Sequence, residues 1–237
     1  MITSSDYFCL TINMKKIVFA LFLSLFLWLW GCKKNVVEPQ IEVSSKYVPI
    51  DSGYSWTYQM DSIVYSGFAN AKPDTFSYKI KNTVVATFID NAGQTSFRLE
   101  KWYLPKNSNT WLYARTYSET KSNLAYFRND FDQTQLVVSL PVLQDKTWNG
   151  NQYNSNGFLE FYFDEVHTTD SVGMLQYDSV CTIMQDESLN AIRSFYAIEK
   201  YAANVGLIWK ETERLENLNT STQKGFKYKL ALLEFEQ

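Results

Sequence analysis

The chain of 237 residues carries 22 Lys+Arg against 25 Asp+Glu, a net charge of −3, and 16% of its residues are aromatic. A small negative charge spread along the chain argues against a nucleic-acid partner, whose phosphates require clustered Lys and Arg. With three cysteines and one histidine, neither a disulfide framework nor a zinc centre of several converging ligands is expected.

In chain order, the first informative stretch is Met14–Cys32, MKKIVFALFLSLFLWLWGC. Lys15 and Lys16 precede an uncharged, mostly apolar run from Ile17 to Trp30, followed by Gly31 and Cys32. A basic start, a short apolar core and a small residue at the cut site make a secretory signal peptide. As a helix the apolar run rises only about 21 Å, short of the ~30 Å hydrocarbon layer, so it is not expected to span a membrane. Residues 1–13 fit no part of a signal peptide and read as a start-site extension, with translation beginning at Met14. The run Leu29-Trp30-Gly31-Cys32 resembles a bacterial lipobox. That resemblance implies cleavage after Gly31, a diacylglycerol and an N-acyl chain on Cys32, and attachment to the membrane through lipid; plain secretion is the alternative. Removing residues 1–31 takes away Lys15, Lys16 and Asp6, leaving a mature chain one unit more negative than the precursor.

Residues 32–46 follow as lipidated N-terminus and tether, since Lys33–Lys46 has no strand or helix period and contains Pro39 and two serines. From residue 47 to residue 237, period-two alternation recurs with almost no helical period, which predicts a single β-rich domain. Trp56, Tyr58 and Met60 alternate with Thr57 and Gln59. Phe76, Tyr78 and Ile80 alternate with Ser77 and Lys79. Asn91-Ala92-Gly93 makes a turn into Phe97–Tyr103, and further strands are expected at Trp111–Tyr117, Leu136–Leu140, Leu159–His167 and Met174–Gln185. Arg193–Tyr201 and Gly206–Arg214 form a hairpin closed through Ala202–Val205, and Phe226–Leu232 is the final strand. Short helical pieces are expected near Ser118–Leu124 and Asp186–Ile192. The fold class is therefore mainly β, with about ten antiparallel strands in a meander that curls into a strongly curved sheet or incomplete barrel.

Residues able to carry chemistry are few. His167 shares a predicted strand face with Glu165, where a surface polar pair is the default reading. Cys181 has apolar neighbours and reads as a buried, inert thiol. Asp130/Asp132 and Asp164/Glu165 are ordinary loop carboxylates unless they meet across a cleft, which acid–base hydrolysis would require. The chain has no Gly-x-Ser-x-Gly elbow, phosphate loop or dinucleotide fingerprint, so no catalytic residue, metal ligand or cofactor is expected. The surplus aromatics suggest a binding surface at Trp102, Trp111 and Tyr113, with Trp111, Tyr113 and Tyr117 expected on one strand face around Arg115.

Tyr47-Val48-Pro49-Ile50-Asp51-Ser52-Gly53-Tyr54-Ser55-Trp56-Thr57-Tyr58 is similar to the Y-x-P-x-x-x-G-x-x-W-x-Y opening of lipoproteins from Bacteroidota-type bacteria. Thr147–Asn154 and Glu199–Ile208 resemble two further blocks of that group. The resemblance implies a lipid-anchored protein of the cell envelope, most naturally at the outer membrane and facing the periplasm, because Lys33-Lys34 lacks the acidic residues of a surface-export signal. It supplies no activity. Within the blocks, Gly53 and Gly150 are expected at turns of positive φ, and Trp56 and Trp148 as core anchors. Three roles follow as expectations: a non-catalytic binding or structural domain with an envelope partner, a carrier of an apolar ligand or acyl chain, and a carboxylate-dependent hydrolase.

Overall fold

The computed structural model describes residues 44–219 and 222–237. Cys32, Gly31 and the rest of the leader and most of the tether lie outside them. Ser44, three residues before Tyr47, is only 1% exposed and its Oγ accepts the Val142 N–H at 2.9 Å, so it is part of the packed body.

Twelve strands follow. The first six are β1 (Ser55–Ser66), β2 (Asp74–Ile89), β3 (Thr95–Pro105), β4 (Leu112–Lys121), β5 (Ala125–Asp130) and β6 (Gln133–Ser139). The second six are β7 (Thr147–Asn149), β8 (Glu160–Val172), β9 (Leu175–Leu189), β10 (Arg193–Ala202), β11 (Gly206–Asn219) and β12 (Thr222–Glu236). All pair antiparallel in one sheet of order β6-β5-β4-β3-β2-β1-β12-β11-β10-β9-β8-β7. The first and last strands are neighbours, in register from Ser55 against Glu236 to Ser66 against Lys224. The two edges, β6 and β7, approach each other. Leu136 N–H donates to Gly150 O at 2.9 Å, and the Trp148 indole N–H donates to Leu136 O at 3.0 Å. Lys146 Nζ donates to the carbonyls of Ser139, Leu140 and Pro141 beside that seam, at 3.1, 2.8 and 3.2 Å. The result is the nearly closed, single-domain antiparallel barrel that alternation predicted, and closure leaves little open edge to recruit foreign strands.

Two helical expectations fail. Ser118–Lys121 is the end of β4 and Asp186–Leu189 the end of β9, with turns following each. Polar and charged residues in these runs alternate between faces of long strands, which obscured their period. The hairpin through Ala202–Val205 is present, and Trp56 Nε1 donates to Val205 O at 2.7 Å.

Gly53 has φ +90°, as a turn requires, but Gly150 has no positive φ. A Cβ on Gly150 would lie 2.5 Å from the Phe161 ring. It is glycine because an aromatic face rests on its backbone. Both block tryptophans are buried, Trp56 stacked at 5.3 Å on Phe235 and Trp148 packed at 4.9 Å on Phe163.

The interior divides in two. Around β6, β8 and β9, buried Val138, Phe161, Phe163, Cys181 and Ile183 fill the space with Tyr47 from the N-terminal segment. Around β1 to β4, β11 and β12, a second cluster includes Trp56, Tyr58, Leu99, Tyr117 and Leu232. It does not fill its half.

Candidate ligand-binding cavity

A cavity of about 820 Å³ lies inside the half of the barrel formed by β1–β5 with β11 and β12. Strand alternation supplies its walls: Tyr58 and Met60 from β1, Ile80 and Asn82 from β2, Leu99 and Lys101 from β3. Its lining is mostly apolar, as in sites that take small ligands, and its volume falls within their usual ~300–1,000 Å³. At one end Val48 and Trp56 line it and are 2% and 6% exposed; at the other, Phe76 is 51% exposed and Lys106 faces solvent. The cavity is therefore sealed where the N-terminal segment crosses the barrel and open at the opposite rim.

One wall is charged. Arg128 on β5 donates from Nε to Glu119 Oε1 at 3.1 Å and from Nη1 to Glu199 Oε1 at 3.2 Å. Lys210 on β11 donates to the same Glu199 oxygen at 2.6 Å. The hydroxyls of Tyr126 and Tyr201 donate to the remaining oxygens of Glu119 and Glu199. Two cations thus face two carboxylates and every carboxylate oxygen has a donor, the condition under which buried charge is tolerated. Glu199 is wholly buried; burial alone would raise its pKa, but Lys210 and Arg128 outweigh it and hold the carboxyl well below the ordinary carboxylate range. Nearer the mouth, Arg115 grips Asp130 through two hydrogen bonds at 2.8 and 2.5 Å, and its guanidinium lies 4.5 Å from the Phe131 ring.

Lys101 differs from these. It has no carboxylate within ion-pair distance among the described residues, and its ammonium lies 5.2 Å from the centre of the Tyr117 ring. Burial pulls its pKa down to about 8, and the Arg115 charge on the paired strand adds to the fall. Directly across the β2–β3 pairing stands Asn82, whose Oδ1 is buried in the cavity wall without a hydrogen-bond partner among the described residues.

The aromatics expected to bind do not line this cavity. Trp102 alternates with Lys101 and Tyr103, which do, and so faces away. The β3–β4 register shifts between Lys101/Arg115 and Trp102/Tyr113, leaving Ala114 as an extra residue on β4. The bulge places Tyr113 opposite Trp102, edge-on at 5.3 Å, while Arg115 and Tyr117 remain inside. Strict alternation had put Tyr113 and Tyr117 on one face, and the bulge separates them. Trp111 precedes β4, half-buried and outside the cavity.

His167 sits at a register shift of β8 with φ +57° and bonds Tyr47, not Glu165. The Tyr47 hydroxyl lies 2.7 Å from His167 Nδ1 and 2.7 Å from Ser179 Oγ, tying the N-terminal segment to β8 and β9. Cys181 is fully buried, and burial pushes its thiol pKa up, which disfavours the reactive thiolate.

Lys101, Arg128, Glu199 and Lys210 were missed as site residues. The signal for them was a charge in phase with apolar residues: Lys101 between Leu99 and Tyr103, Arg128 two after Tyr126, Glu199 two before Tyr201. No family model matches the chain, and no curated protein matches it. Two solved structures are similar in shape. One is a protein assigned as exported, with a YmcC-like fold, from Bacteroides fragilis NCTC 9343, at 12% identity and a TM-score of 0.45. The other is assigned as a lipoprotein, from Parabacteroides distasonis ATCC 8503, at 11% identity and a TM-score of 0.43. Each alignment covers 80% of this chain and 98% of the other.

Proposed function

We propose that this is a lipid-anchored protein of the bacterial cell envelope, held at the outer membrane through Cys32 and facing the periplasm, whose barrel takes up the apolar chain of an amphipathic ligand. The cavity carries this reading: about 820 Å³ of space, walled mostly by apolar side chains and open at one rim. A purely structural domain has no need of such a hollow, because interiors otherwise close-pack. The leader and the lipobox-like Leu29–Cys32 supply the anchor.

The chemistry of the charged wall favours binding over hydrolysis. A carboxylate general acid has to be held protonated near neutral pH, by burial without cations. Glu199 is held in the opposite state, and the oxygens of both buried glutamates are occupied. Extraction of the protein purified from its own cells, followed by lipid mass spectrometry, tests the proposal. An acyl-chain compound in near-stoichiometric amount is the expected result, and acylated Cys32 the expected N-terminus. A ligand-free barrel that binds no acyl probe would remove the carrier role; an unmodified Cys32 thiol would remove the anchor.

A further inference from the structure

We infer that the ligand's head is anionic and that Lys101 and Asn82 recognise it, so that the cavity selects acyl chains ending in a carboxylate or phosphate. The inference rests on the carrier reading above and specifies its ligand. It comes from the pairing state of the polar groups within one cavity. Arg128 and Lys210 are matched by Glu119 and Glu199, and Arg115 is matched by Asp130. These groups are mutually satisfied and leave nothing for a ligand to neutralise. Among the described residues, Lys101 lines the same cavity with only the Tyr117 ring against its ammonium. A buried cation without a counter-ion is costly unless an anion arrives from outside.

The neighbouring amide points the same way. Asn82 is the cross-strand partner of Lys101, and its Oδ1 is a buried acceptor with no donor among the described residues. Cross-strand partners on one face stand about 5 Å apart at their Cβ atoms, so one small head can reach both. An anionic oxygen would satisfy the ammonium, and a turn of the Asn82 amide, whose Oδ1 is shielded from water in the unliganded wall, would let a hydroxyl or amide N–H on the ligand satisfy it. Farther along, Tyr58, Ile80, Leu99 and Leu230 present apolar or aromatic wall, which suits a hydrocarbon tail. A purely apolar ligand would leave both polar groups unpaired, and a neutral polar one would leave the ammonium's charge uncompensated.

The test uses the exported chain with Cys32→Ser, which keeps it in solution, and compares it with versions that also carry Lys101→Met, Lys101→Arg or Asn82→Leu. Binding of palmitate, palmitoyl lysophosphatidate and monopalmitoylglycerol is measured by titration calorimetry. At least one anion is expected to bind about tenfold or more tightly than the neutral glyceride, the scale of one hydrogen bond to a charged group. Lys101→Met should abolish that preference and Lys101→Arg keep it. Asn82→Leu should weaken lysophosphatidate, which carries a hydroxyl, more than palmitate, which has none. Tighter binding of palmitate assigns a carboxylate head, and tighter binding of lysophosphatidate a phosphate head. Equal binding of all three probes, or a preference that survives Lys101→Met, overturns the assignment of Lys101 and leaves the carrier reading intact. Failure of all three to bind overturns both. Melting curves of each variant without ligand separate lost binding from lost folding.

Discussion

The buried wall makes opposite demands on its two kinds of cation. Arg128 joins two buried glutamates, and removing it would leave Glu119 Oε1 without a donor and Glu119 without a cation among the described residues, while Glu199 would keep Lys210 and the Tyr201 hydroxyl. Arg128→Met is therefore expected to destabilise the protein by about 3–5 kcal/mol, the usual cost of breaking a buried pair from one side. Chemical denaturation measures it, and a loss under about 1 kcal/mol would mean that water reaches the cluster. Lys101 should behave in reverse. Its pKa is near 8 in the folded barrel against an ordinary 10.5, lowered chiefly by burial and further by Arg115, Arg128 and Lys210, with Asp130 opposing them. Between those two values the unfolded chain binds more protons than the folded one, so this residue makes stability rise with pH. Below about pH 8 the charged amine costs stability, and the cost fades toward pH 10.5. Lys101→Met should thus melt higher than the wild type at pH 7, with the gap closing as the pH is raised. A gap independent of pH would show that the amine is hydrated. None of these charges was legible as a site in the sequence. An inward charge and an outward charge look alike until the strand's partners are known. Only their phase with Leu99, Tyr126 and Tyr201 marks them.

Strands were legible wherever one face is consistently apolar, because side chains alternate with period two. Trp56-Thr57-Tyr58-Gln59-Met60 and the run around Tyr228, Leu230 and Leu232 are examples, and both became central strands. β5 was not anticipated. Its inward positions are Tyr126, Arg128 and Asp130, so its buried face is mostly charged. β7 spans only three residues, too few for any period. The bulge at Ala114 was equally hidden, and it decides which aromatics enter the barrel. Trp102 and Tyr113 therefore make a pair outside the cavity, and their replacement is not expected to affect ligand binding. Gly150 gives a prediction at this scale. Its backbone supports the Phe161 ring at a distance no Cβ tolerates. Gly150→Ala should cost about 1–3 kcal/mol through displacement of that ring, and it should loosen the seam where Leu136 bonds Gly150. Thermal unfolding and amide exchange at Leu136 would report it, and unchanged values in both would mean that β7 shifts freely to make room.

At the scale of the barrel, one nearly closed sheet contains two kinds of interior. The side near β6, β8 and β9 is filled to the backbone, with Val138, Phe161 and Ile183 unexposed. The side near β1 to β4 is hollow, although its residues are no less aromatic. The difference follows from shape: a twelve-stranded barrel is wider than its side chains can fill, since diameter grows with strand number. The N-terminal segment makes up part of the shortfall by inserting Tyr47 and Val48. The remaining space requires a ligand or stays as cavity. Adding bulk to the two halves separates these cases. Ile80→Trp places an indole where there is already room, so it should leave the melting temperature nearly unchanged while excluding the acyl chain. Val138→Phe adds bulk to a close-packed wall and should cost about 1–3 kcal/mol, the ordinary penalty of overpacking. If the two substitutions destabilise equally, the barrel in solution has closed its hollow with its own side chains, and it is not a carrier. If Ile80→Trp is tolerated and the purified variant yields no lipid where the parent yields one, the space belongs to the ligand.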